Sequence, residues 1–100
     1  MENAKLFAVI RTRGPGWQPH LSLEQQRDWQ PHAAFMNNLK SDGFVVLAGP
    51  LEGTPEVLLI IRAATPEQII ARLAPDPWSG DLLLISKISP WTLRLGALPA

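Results

Sequence analysis

FVVLAGPLEGTPEVLLII, Phe44 to Ile61, holds two unbroken apolar runs around a turn-rich centre, and its reading decides the fold. Phe44 to Ala48 closes at Gly49 and Pro50, and Val57 to Ile61 follows the cluster Glu52, Gly53, Thr54, Pro55. The segment therefore reads as two consecutive strands joined by a turn. A strand with one wet face alternates apolar and polar side chains, and neither run does. Both faces of the sheet are expected to be covered.

Upstream, Lys5 to Arg13 is apolar and β-rich through Leu6, Phe7, Ala8, Val9 and Ile10, and stops at Gly14, Pro15, Gly16, which a strand interior does not tolerate. Trp17 to Leu21 reads as a surface loop. Ser22 and Gln25 have capping-box spacing, so a helix is expected from about Leu23 to Asp42, where Gly43 ends it. Pro31 removes one backbone donor and crowds the Arg27 carbonyl, which predicts a kink or break. Downstream, Thr65 caps a second helix with Pro66 at its first position and Gln68 three residues after the cap; it runs through Ala74 to Pro75. After the turn Asp76 to Gly80, Leu82 to Ile88 reads as a fourth strand. Trp91, Leu93 and Leu95 alternate with Thr92 and Arg94, which suggests a further edge strand or an arm on a neighbour.

The order β, α, β, β, α, β is the split arrangement of a ferredoxin-like α+β antiparallel sheet with both helices on one face. Two helices cover only that face. A second copy of the sheet is the economical cover for the other, so the expected assembly is a homodimer, a dimeric α+β barrel.

The 100 residues are enough for one domain, taken as 1–100, with a single core. Nine basic against nine acidic side chains leave no surplus for a phosphate backbone, so no nucleic-acid partner is expected. Cysteine is absent, which excludes thiolate chemistry and disulfides. Met1 to Ile10 reads as a strand, not a leader, and no run reaches membrane-spanning length; a cytoplasmic location with no membrane partner is the expectation. Two histidines without HExxH-type spacing do not make a metal site, and the glycines at 14 and 16 do not make a phosphate loop. No cofactor is implied. Ser22, Ser79, Ser86 and Ser89 show no nucleophile-elbow motif.

His32 is the candidate for chemistry. At helical spacing it falls on one arc with Trp29, Phe35, Met36 and Leu39, so its ring faces inward. The plain reading is a core histidine satisfied by a carbonyl or water. The sharper reading needs a carboxylate to fix the tautomer, so that the other nitrogen faces a substrate as general base or acid. Asp76, held between Pro75 and Pro77 with Trp78 beside it, is the first candidate; Asp28, four residues before His32, is the rival. Arg11 and Arg13 share a strand face, and Arg11 is the candidate to clamp an anionic or phenolate oxygen. Trp29, Phe35 and Trp78 are the expected apolar walls of a substrate pocket. His20, in a proline-bounded loop, is expected to be exposed.

Five segments, Arg13 to Trp17 (RGPGW), Trp29 to Leu39 (WQPHAAFMNNL), Gly43 to Leu51 (GFVVLAGPL), Asp76 to Trp78 (DPW) and Pro90 to Leu98 (PWTLRLGAL), carry a resemblance to the YCII-related, or YciI-like, family along nearly the whole chain. The resemblance implies a ferredoxin-like fold paired into a dimeric α+β barrel, with a histidine and an aspartate as proposed active-site residues, here His32 and Asp76. It places the chain beside dimeric barrels that include isomerases, monooxygenases and dehalogenating enzymes.

The leading expectation is an enzyme in which His32, oriented by Asp76, moves a proton in elimination, isomerisation or hydrolysis of a small cyclic or aromatic molecule. The alternatives are a non-catalytic module whose pocket captures a ligand or partner, and an assembly subunit whose apolar sheet face serves a larger complex.

Overall fold

A computed structural model describes residues 4–98 of the chain. The strands are β1 (Lys5–Arg13), β2 (Val45–Pro50), β3 (Glu56–Ala63) and β4 (Leu83–Trp91), and the helices are α1 (Trp29–Ser41) and α2 (Pro66–Leu73). The strands form one sheet in the order β2-β3-β1-β4, with every neighbouring pair antiparallel. This α+β arrangement is compatible with a ferredoxin-like fold. The first three residues of the Met1–Ile10 stretch lie outside the described residues.

Register sorts the side chains between faces. Phe7 sits opposite Ile61, Val9 opposite Leu59 and Arg11 opposite Val57, so these six share one face. Onto it pack Leu39 from α1 and Ile69 and Leu73 from α2, forming the main core with Phe44, Val45 and Ala63. Both helices cover this face, and each fully buried aliphatic or aromatic side chain contributes about 1.5–3 kcal/mol. A smaller core at one end joins Trp78, Leu82 and Leu83 to Trp17, Trp29 and Val57. Val57, opposite Arg11 in the sheet, packs against both cores.

The opposite face carries Leu6, Ala8, Ile10, Leu58 and Ile60 in its middle, with Leu47, Leu84 and Trp91 more exposed around them. No element of the described chain is seen to pack across it. The lack of alternation in β3 thus corresponds to one face under helices and one apolar face without a helix.

Three local expectations are corrected. The helix expected from Leu23 to Asp42 is a 3-10 turn at Leu23–Gln25, an irregular stretch, and α1 from Trp29. Gln25 does fold back, its Oε1 accepting from the Ser22 N–H at 3.0 Å, but the box caps only that turn. Pro31 does not kink a long helix. It stands in the first turn of α1, where its missing N–H has no intrahelical role, and the first bond of the ladder runs from the His32 N–H to the Asp28 carbonyl at 3.0 Å. Asp28 makes the entry with φ of 59°. Lastly, the chain beyond Trp91 is not a further strand: β4 itself extends to Trp91, and 92–98 is irregular.

The second helix follows its signals closely. Thr65 accepts from the Gln68 N–H at 3.2 Å, Pro66 opens the helix, and the helix ends with Ala74 as its cap. Gly43, with φ of 79°, ends α1 in a conformation that favours glycine. No helix among the described residues is long and apolar enough to cross a membrane.

Candidate functional site

The turn after α2 delivers an acid to the middle of the smaller core. Between Pro75 and Pro77, the Asp76 N–H bonds back to the Leu73 carbonyl at 3.1 Å, and its Oδ1 accepts from the Trp78 N–H at 3.0 Å. This Asx turn fixes the carboxylate with its side chain fully buried. Across from it, His32 Nδ1 lies 2.9 Å from Oδ1 and 3.0 Å from Oδ2. From β1, Arg11 donates NH1 to Oδ2 at 2.8 Å. Its NH2 reaches Ser79 Oγ at 3.0 Å and the Leu83 carbonyl at 3.1 Å. Asp76, not Asp28, is therefore the partner of His32; Asp28 lies outside and faces Arg27 at 3.4 Å.

The ionisation of Asp76 sets the tautomer of His32. Burial works against the carboxylate charge, but the hydrogen bonds from His32, the Trp78 N–H and Arg11 outweigh it and hold Asp76 below the ordinary carboxylate range. An ionised carboxylate only accepts, so the hydrogen between the two groups belongs to Nδ1. Neutral His32 then carries its lone pair on Nε2, which has no hydrogen-bond partner among the described residues. The Nδ1 edge is committed to Asp76, and His32 is among the residues that line the adjoining cavity.

Aromatic rings hold the imidazole from the side. Trp78 stacks on it with centroids 3.7 Å apart and planes 8° apart. Trp29 and Trp17 lie against Trp78 at 5.8 and 5.6 Å, the latter edge-on. Trp78 Nε1 donates to the Arg27 carbonyl. Arg27 precedes the left-handed Asp28 and lies outside α1, so its carbonyl has no partner in the helix ladder and is open to the stacking ring's N–H.

Trp17 is placed by the glycine-proline-glycine loop. The Gly14 N–H donates to the Leu82 carbonyl and the Gly16 N–H to the Asp81 carbonyl, both at 2.9 Å. A Cβ on Gly14 would run into the Asp81 carbonyl oxygen, so glycine is needed there for the approach. Arg27 and Asp81 add an exposed ion pair at 2.6 Å across the same seam.

The cavity beside this group has a volume of about 300 Å³. Helix α1 supplies Trp29, His32 and Met36; the sheet supplies Arg11, Arg13, Ala48, Gly49, Pro50, Val57, Leu59 and Leu83. Trp17, Leu23 and Trp78 complete it. Of the residues expected at the site, His32, Asp76, Arg11, Trp29 and Trp78 come together. Phe35 does not line the cavity: one helical step from Met36, it packs against the main core, and Met36 takes the wall. Arg11 is not the open clamp expected at a strand end, since it is 1% exposed and commits both terminal nitrogens to protein acceptors. It positions Asp76. His20 is exposed, as expected. The serine nearest the group, Ser79, donates its hydroxyl to the Leu73 carbonyl at 2.6 Å and is taken up structurally.

No family model matches the chain, and no curated protein matches it.

Proposed function

We propose that this protein is a small-molecule enzyme in which His32 Nε2 acts as general base and, once protonated, as general acid, with Asp76 holding the imidazole and Arg11 holding Asp76. The observation that carries the reading is the buried Arg11–Asp76–His32 relay beside an aromatic-walled cavity. A histidine serving only the core would not need a carboxylate that itself requires a buried arginine; the arrangement suits orienting one ring nitrogen toward a ligand. In the reaction the Nε2 lone pair takes a proton from an acidic C–H, and the bonding pair moves into the adjoining π system. The proton then returns to another atom of the same molecule, giving isomerisation, or a neighbouring group departs with its bonding pair, giving elimination. Hydrolysis in this cavity would use a water activated by Nε2, since no serine is among the residues that line it.

The YCII-related assignment and the homodimer belong to this proposal. The strand order, with His32 and Asp76 in contact, supports the first. The apolar sheet face that no helix covers supports the second, in which a second copy closes a dimeric α+β barrel. Light scattering behind size-exclusion chromatography should give twice the chain mass at micromolar concentration; a soluble monomer contradicts the dimer.

Proton transfer is tested by incubating the protein in D2O with a panel of small cyclic carbon acids and following C–H signals by NMR. Deuterium wash-in by the wild type that disappears in folded His32→Ala, with ligand affinity largely kept, is the expected result. Equal wash-in by the variant removes His32 from catalysis.

A further inference from the structure

The charge pattern of the cavity points to a ligand of one sign. Its wall contains Arg11, Arg13 and His32 and no acidic side chain. Asp76 stands behind the wall and is balanced by Arg11. Arg13 has no such partner: it is exposed and makes no ion pair among the described residues. Glu52, which shares a neighbouring concavity with it in the turn between β2 and β3, is not within ion-pair distance. The Arg13 guanidinium lies over the Trp17 ring, its Cζ 4.4 Å from the centroid. Stacking fixes the plane of the guanidinium while its edge N–H groups stay free, the state suited to a two-point grip on a carboxylate.

The uncharged groups agree. The indole N–H groups of the lining residues Trp17 and Trp29 have no acceptor among the described residues. Against these donors the wall offers one strong side-chain acceptor, His32 Nε2. A cavity of about 300 Å³ with aromatic walls takes one planar ring and its substituents.

We infer that the cavity binds a small planar carboxylate, its anionic group gripped by Arg13 and its ring lying against Trp17 and Trp29. Arg13 is then the residue that selects substrate charge. The inference builds on the reading of His32 as the base of this cavity and adds the substrate class.

The test uses benzoate, benzamide and benzylamine, which are close in shape and differ in charge, with affinities measured by ligand-observed NMR on the full chain. Benzoate should bind about tenfold more tightly than benzamide, and benzylamine more weakly than either. The gap should narrow at about 0.5 M salt. In Arg13→Gln, benzoate should fall to the benzamide level while benzamide is unchanged; Arg13→Lys should keep part of the preference. Arg13 is exposed, so both variants should melt like the wild type. A wild type with no preference for benzoate, a preference surviving in Arg13→Gln, or no binding of any probe at millimolar concentration overturns the inference. Equal loss of benzoate and benzamide in Arg13→Gln also overturns it, since Arg13 would then only prop Trp17. Binding needs no turnover, so the two readings fail separately: a benzoate preference without His32-dependent deuterium wash-in removes only the proton-transfer reading, and wash-in without the preference removes only this one.

Discussion

Asp76→Ala is the perturbation that reaches furthest into this structure. It removes a buried carboxylate that accepts from Arg11, from His32 and from the Trp78 N–H. Arg11, 1% exposed, is left as a buried cation with no counter-charge. Breaking a buried pair from one side costs about 3–5 kcal/mol. A domain of this size has roughly 5–15 kcal/mol of total stability, so much of it is lost. At about 4–8 °C per kcal/mol, the melting temperature should fall on the order of 12–40 °C. Urea titration followed by far-UV circular dichroism measures the cost, with the slope unchanged if only stability moved. Asp76→Asn, which keeps an acceptor but not the charge, should lie between wild type and Asp76→Ala. In a double-mutant cycle with Arg11→Met, the two losses should fall short of additivity by roughly 1–3 kcal/mol. An Asp76→Ala protein within about 0.5 kcal/mol of wild type would refute the claim that this carboxylate ties β1, α1 and the turn after α2 together.

The lowered Asp76 ionisation gives a pH dependence of definite sign: the folded state binds its proton less readily than the unfolded chain. Stability from this group is complete above the ordinary carboxylate range and drains away as the pH falls below about 4, so the wild-type advantage over Asp76→Asn should shrink there in acid titrations. Gly14→Ala forces a Cβ against the Asp81 carbonyl and should cost about 1–3 kcal/mol in urea titration, with a change in near-UV circular dichroism as Trp17 shifts. Trp78→Phe keeps a ring over His32 but strands the Arg27 carbonyl, and should cost roughly 1–3 kcal/mol by the same measurement.

How far the sequence was legible depended on how local each signal was. Strand β1 and helix α2 lie almost where their residues place them, because Gly14 and Pro15 stop one, while Thr65, Pro66 and Gln68 start the other through contacts within a few residues. The start of α1 is not legible locally, because Ser22 and Gln25 make a real box that closes only a short turn, and nothing nearby marks Asp28 as left-handed. His32 and Asp76 were legible as partners through residue type and the proline-held turn, helped by the family resemblance. The role of Arg11 was not: β1 alone reads as a strand reaching a ligand, and only the fold brings Asp76, Ser79 and the Leu83 carbonyl around its guanidinium. Phe35 and Met36 differ by one helical step, which periodicity does not resolve at a boundary between core and cavity. Trp17 entered the site through the Gly14–Asp81 seam, a contact between segments far apart in the chain; the one available signal was glycine on both sides of Pro15 before a large aromatic residue.

The proposed proton transfer requires His32 to carry its hydrogen on Nδ1 and to present Nε2 to the cavity. Long-range 1H–15N NMR of histidine-labelled protein at mildly alkaline pH reads the protonation of each ring nitrogen directly. An Nδ1–H resonance for His32, with Nε2 unprotonated and the pattern lost in Asp76→Asn, is the expected result. A His32 ring protonated on Nε2, or averaging freely between tautomers, would contradict the account.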